Sequence, residues 1–248
     1  MARLSGKKKQ PEQPGIRKQF QVQQEMFFSS PIFFKDLSGS EKLNTYLLKH
    51  LKSWRKRDLK GIVRSNSLGW HSAVDMHQRK EYHGLLKEMF TMQEEIYQLE
   101  GYHKDTEAYC DNMWGNINYK YSHNKNHVHP GAQWSGVYYI KTPPNCGQIW
   151  FTDPCGQRHI DIPIFADKKN KPKHQWREVH YEAIEGRLIM FPAWLTHEVA
   201  QNMCDLKGED GWRVSVSFNF KQRWKKGKVA KPPKGHDNGG IIDKNSLK

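Results

Sequence analysis

His127-Val128-His129-Pro130-Gly131-Ala132-Gln133-Trp134-Ser135-Gly136-Val137-Tyr138-Tyr139 is the stretch on which the fold turns. Its counterpart is Leu188-Ile189-Met190-Phe191-Pro192-Ala193-Trp194-Leu195-Thr196-His197-Glu198-Val199, followed by Arg213-Val214-Ser215-Val216-Ser217-Phe218. Two histidines stand at the edge of one strand-like run and a third at the end of another. A strand carrying Arg and Ser comes next. A metal site inside a small β-barrel requires that order.

Around these segments the chain shows several short strands: residues 116–121, 136–140, 148–151, 187–191 and 213–218. Turn signals separate them, among them Pro143-Pro144-Asn145, Asp153-Pro154, Glu185-Gly186 and the 207–211 run. Two helices precede them. The first is predicted over about 38–56, with Ser38 and Glu41 at capping-box spacing and Leu43, Tyr46, Leu47, Leu51 and Trp54 as its apolar face. The second is predicted over about 79–100, with Tyr82, Leu85, Met89, Ile96 and Tyr97 recurring at the helical period. The Phe27–Phe34 stretch contains Pro31 and reads as an edge strand. Short strands after two helices point to a mainly β fold of the α+β kind, a sandwich or barrel buttressed by helices.

Composition narrows the class. Of the formal net charge of +14, the first 20 residues and residues 221–248 carry +12, leaving +2 for residues 21–220. The organisation expected is a disordered basic tail over 1–20, one domain over 21–222 with a barrel core from about 114, and a flexible basic tail over 223–248. Clustered lysines on such tails aid solubility and make at most weak, non-specific contact with polyanions. No apolar run suits a bilayer span or a signal peptide, so a cytoplasmic protein is expected. Four cysteines without a CxxC pair suggest neither a disulfide framework nor a zinc knuckle.

The chemistry rests on the histidines. One residue separates His127 from His129, so an extended strand turns both imidazoles to one face. Neutral imidazole suits Fe, Zn, Cu or Ni. His197 is the best third ligand. HxH alone is a weaker pattern than paired CxxC, and the chain has 13 histidines.

The neighbouring residues add to this. His127-Val-His129-Pro130, Ser135-Gly-Val-Tyr-Tyr139, Gly147-Gln-Ile-Trp-Phe-Thr-Asp-Pro154, Gly186–Val199, Arg213-Val-Ser-Val-Ser-Phe-Asn219 and Ser67-Leu-Gly-Trp-His-Ser72 resemble the 2-oxoglutarate/Fe(II)-dependent oxygenase superfamily. The branch they resemble is common in marine bacteria and their phages, which would place a viral copy in the host cytoplasm. The resemblance covers about residues 27–220. It implies a double-stranded β-helix, the jelly roll of prolyl hydroxylases, and an enzyme using Fe(II) and 2-oxoglutarate, with ascorbate as reductant in vitro. It implies His127, His129 and His197 as metal ligands, and Arg213 with Ser215 as the pair that holds the far carboxylate of 2-oxoglutarate. A guanidinium presents a planar fork to a carboxylate, and the hydroxyl adds a donor. Tyr139 or Tyr138 would add a phenol. Trp134 and Trp194 are candidates for a substrate slot, with Trp150 a further one.

One position departs from the pattern. The usual non-haem iron shell is two histidines and one carboxylate, and His129 stands where the carboxylate is expected. Either three histidines hold the metal, or Asp153 or Glu198 supplies the carboxylate. Two other functions stay open: a three-histidine zinc hydrolase on the same barrel, and a non-catalytic binding or virion-associated protein with a degenerate site. Substrate and oligomeric state are not readable.

Overall fold

A computed structural model describes residues 28–167 and 171–228. The N-terminal tail of 1–20, and all but the start of the 223–248 tail, lie outside the described residues.

Eleven strands form two antiparallel sheets. The larger has six strands in the order β1 (Phe33–Asp36), β9 (Arg187–Pro192), β6 (Trp134–Lys141), β11 (Arg213–Trp224), β4 (Thr106–Asn118) and β3 (Trp70–His71). The smaller has five: β2 (Asn66–Ser67), β5 (His123–His127), β10 (His197–Val199), β7 (Ile149–Thr152) and β8 (Glu178–Tyr181). Neighbours in each sheet come from distant parts of the chain, as in a jelly roll. Between the sheets lie Val137, Tyr139, Ile149, Phe151, Ile189, Phe191 and Leu195.

Two helices, α1 (Glu41–Arg57) and α2 (His83–Leu99), cover the outer face of the larger sheet. Leu47, Leu51 and Trp54 of α1 and Leu85, Met89 and Ile96 of α2 join Val214, Val216, Phe218 and Ile117 of the sheet in the main core. Gly115 sits under α1, and a Cβ there would run into Leu51. Tyr46, expected on the buried face of α1, is exposed, and Asn44 takes the inward place. The expected Ser38 cap is not formed. Ser40 is the N-cap residue and makes no side-chain cap bond, because Ser38–Ser40 form a turn. One 3-10 turn, Met76–Gln78, precedes the second predicted helix, and another, Lys80–Tyr82, fills its start. The first strand begins at Phe33, later than expected, and pairs with β9 alone, at the sheet edge.

β4 is longer than the sequence suggests, starting at Thr106. β5 and β8 were not foreseen. β5 and the start of β4 carry polar residues where an apolar alternation would mark a strand, whereas β8 alternates but is only four residues long.

Candidate metal centre

β10 brings the histidines together. His197 lies directly opposite His127 in the β10–β5 register. His129 follows β5 by two residues and is anchored by its backbone N–H donating to the Ala193 carbonyl at 2.9 Å. The ligating atoms of His127, His129 and His197 all lie within 4.8 Å of one another. The Nε2 atoms of His129 and His197 are 3.2 Å apart.

Tautomers follow from the backbone. The Nδ1 of His197 is 2.9 Å from the Leu195 carbonyl, and that of His127 is 2.6 Å from the Lys125 carbonyl. A carbonyl accepts only, so each Nδ1 carries the proton and each Nε2 presents a lone pair to the cluster. Orientation of ligand histidines by such outer hydrogen bonds is a regular feature of metal sites. Burial, then the other imidazoles, push His197 down to about 3. Burial, then His127, push His129 down to about 4, and burial lowers His127. All three are neutral at pH 7, the state a metal needs. Phe191 and Phe151 pack on His197, with ring centroids at 4.6 and 6.1 Å. A buried set of three convergent neutral nitrogens fits a divalent transition metal.

The histidines line a cavity of about 570 Å³ between the sheets. Arg213 and Ser215 at the start of β11, and Tyr139 opposite Ser215 on β6, line it too. Arg213 is 1% exposed. Its Nη1 donates to the carbonyls of Cys146, Gly147 (3.3 Å) and Ala200 (3.0 Å). Gly147 has φ +87°, and a Cβ there would meet the guanidinium at 2.8 Å, so only glycine allows this approach. The Nη2 of Arg213 has no protein partner. Burial disfavours the charge of Arg213, and no carboxylate compensates it. A buried, partly unsatisfied guanidinium facing a cavity fits an anionic ligand. Burial raises the Tyr139 pKa, keeping a neutral phenol beside it.

Other expected residues lie elsewhere. Tyr138 points to the helical face, where its hydroxyl donates to Asn44 Oδ1 at 2.6 Å, because neighbours on a strand face opposite ways. Trp134 is in the main core, its Nε1 donating to the Tyr102 hydroxyl at 3.1 Å. Trp194 is 54% exposed in the turn after β9 and does not line the cavity. Trp150 packs against His180. Asp153 faces a different hollow, engaged by His159 Nε2 at 2.9 Å and by the Cys155 N–H at 2.9 Å. Glu198 follows His197 on β10 and is exposed. Neither carboxylate joins the histidine cluster.

The sequence reading missed the polar wall. Trp114, Asn116 and Asn118 of β4 and Ser217 and Asn219 of β11 alternate into the cavity. Asn116 Nδ2 donates to Ser217 Oγ at 3.0 Å, and Asn219 Nδ2 to Asn112 Oδ1 at 2.7 Å. His71 stacks on Trp114 (centroids 5.4 Å, 10°), and Trp114 on His129 (5.9 Å, 30°). The signal available was the two-residue period of Asn112, Trp114, Asn116 and Asn118.

Comparison with known proteins agrees with this geometry. Residues 112–219 match the family described as "Putative 2OG-Fe(II) oxygenase". No curated protein matches by sequence. Among solved structures, a Pseudomonas putida prolyl-4-hydroxylase is similar at 15% identity and TM-score 0.54, over 79% of this chain and 94% of that one. The non-heme alpha ketoglutarate dependent epimerase SnoN from nogalamycin biosynthesis is similar at 12% and 0.54, over 87% and 90%. A Trichoplax adhaerens prolyl hydroxylase, solved with a hypoxia inducible factor peptide fragment, is similar at 12% and 0.51, over 76% and 82%. At these identities the structures speak for the fold, a jelly roll with two flanking helices. With the family match added, residues 112–219, which hold the three histidines, Arg213 and Ser215, are similar to the 2-oxoglutarate/Fe(II)-dependent oxygenases, on a fold that the chain shares with solved members.

Proposed function

We propose that the protein is an Fe(II)- and 2-oxoglutarate-dependent dioxygenase, with residues 21–222 as its oxygenase unit. His127, His129 and His197 would hold the metal, and Arg213 with Ser215 the far carboxylate of 2-oxoglutarate. The observation that carries this reading is buried Arg213, which lines the cavity that holds the three imidazoles and whose Nη2 has no partner among the described residues. Bound Fe(II) and 2-oxoglutarate supply the oxidising chemistry, in which O2 and the cosubstrate yield succinate and CO2 as a substrate C–H is hydroxylated.

The chain's part is positioning. The Leu195 and Lys125 carbonyls set the imidazole tautomers. Arg213 fixes one end of the cosubstrate, so its keto-acid end is directed at the metal. Phe151, Phe191 and Leu195 exclude water behind His197. Three neutral ligands leave the ion's +2 charge uncompensated by protein, which favours an anionic chelator.

The three-imidazole set equally suits zinc and a metal-bound water. The family similarity of residues 112–219 favours the oxygenase over a hydrolase. The deciding experiment is turnover of 2-oxoglutarate to succinate with Fe(II) and ascorbate, beside metal analysis of protein purified without added metal. Succinate release is expected. No turnover and no cosubstrate binding, with stoichiometric zinc, would sink the reading.

A further inference from the structure

The cavity holds charges that the metal and the cosubstrate leave unused. Arg64 and Lys125 stand at its mouth, both exposed, and neither is in an ion pair among the described residues. No Asp or Glu among the described residues lines this cavity. Three other hollows each contain a carboxylate: Asp153 and Glu178 in one, Glu182 in another, Glu94 and Glu107 in the third. Residues 21–220 carry only +2, so a lining of one sign is not a by-product of overall charge. Clefts lined by one sign concentrate ligands of the other.

The wall between mouth and metal is shaped as well as charged. His71, Trp114 and His129 form a continuous ring stack. His71 is buried, and its Nδ1–H donates to the Ser72 carbonyl at 2.6 Å, leaving Nε2 as an acceptor. Burial, with Arg64 adding to it, keeps His71 neutral. Arg213, at the buried end, is matched by one cosubstrate carboxylate. The exposed pair at the mouth is free for a second anion.

We infer that the substrate carries an anionic group, carboxylate or phosphate, held at the mouth by Arg64 and Lys125 while its body lies against Trp114 and His71. The oxygenase reading decides what reaction such a molecule meets, and the inference rests on it to that extent alone.

The test uses the full chain with Mn(II), which supports no turnover, and saturating 2-oxoglutarate. Phenylacetate, phenyl phosphate, 2-phenylethanol and phenethylamine are titrated calorimetrically. One of the two anions should bind about tenfold more tightly than the alcohol and the amine, and which one does so separates carboxylate from phosphate. The preference should shrink as salt is raised, since the pair is exposed. It should vanish in Arg64→Gln/Lys125→Gln and persist in Arg64→Lys/Lys125→Arg. Equal behaviour of all four probes, absence of binding included, overturns the inference, as does a preference that survives in the Gln variant. Should 2-oxoglutarate itself fail to bind, the oxygenase reading falls. The same titrations with Mn(II) alone then still judge the anion site.

Discussion

The two faces of the larger sheet differ sharply although the same strands make both. On β11, Val214, Val216, Phe218 and Phe220 look toward the helices and are fully buried among apolar groups. Arg213, Ser215, Ser217 and Asn219 look into the cavity. On β4, Met113 and Ile117 belong to the core, whereas Trp114, Asn116 and Asn118 face the cavity. Stability and chemistry are thus divided by the pleat, one residue apart. A one-residue slip would exchange them along the whole strand, so the apolar face fixes the register of the polar one.

The division is broken most directly at Arg213. Arg213→Met removes a buried guanidinium that no carboxylate compensates. The affinity for 2-oxoglutarate should fall by about thirtyfold or more, since truncating one partner of a buried charge pair costs about 2–5 kcal/mol. Stability without ligand should change little, because relief of the uncompensated buried charge offsets the loss of the donor to the Cys146, Gly147 and Ala200 carbonyls. Calorimetric titration and thermal melting check the two halves. A lower melting temperature with affinity retained would place Arg213 among the structural residues.

Phe218→Ala, five residues on, should do the reverse. Phe218 is fully buried against the helices, and its truncation should cost about 3–5 kcal/mol. Urea unfolding measures that loss. Affinity for 2-oxoglutarate, measured where the variant is folded, should stay within about twofold. A large loss of affinity would show that the two faces are coupled through the sheet.

Above the carboxylate range, acid should act through the cavity face. His129 and His197 titrate near 4 and 3 in the folded chain, against about 6.5 when unfolded. Between pH 6.5 and 4 the unfolded chain binds protons that the folded chain refuses. Stability of the metal-free protein therefore falls as pH falls through that window, by up to about 1.4 kcal/mol per pH unit for each group. Denaturant unfolding at pH 7.5 and pH 5 reads the slope, and His197→Phe should flatten it. Metal affinity should weaken in the same direction, since the imidazoles must be unprotonated to bind.

The helical face was the legible one. Leu47, Leu51, Leu85 and Met89 by their period, residues 188–191 as an apolar run and residues 213–218 by alternation announce themselves, because a dry core tolerates only apolar residues. The strands around the wet cavity do not. The strand was read only over 116–121, so its first ten residues from Thr106 were missed, and β5, His123–His127, holds no apolar residue. The three histidines were nonetheless visible by type and spacing, and Arg213 through the resemblance of its strand to the oxygenases. The fine placement was not. Asp153 follows β7 closely, but only the fold shows that it faces a second hollow. His71 lies more than 40 residues before Trp114, and their stacking needs the β3–β4 pairing to bring them together.

Tyr138 and Tyr139 give the smallest and sharpest test. Adjacent and both buried, they are indistinguishable by composition or period. Tyr138 spends its hydroxyl on Asn44 of α1, whereas Tyr139 sits in the cavity with Arg213 and Ser215. Tyr138→Phe strands one buried hydrogen-bond acceptor and should cost about 1–3 kcal/mol of stability with no change in cosubstrate affinity. Tyr139→Phe should leave the melting temperature nearly unchanged and weaken 2-oxoglutarate binding about three- to tenfold, the size of one neutral hydrogen bond. The paired variants share one substitution and differ only in which side of the sheet loses an oxygen. An interchange of their effects would mean that β6 is paired one residue out of register.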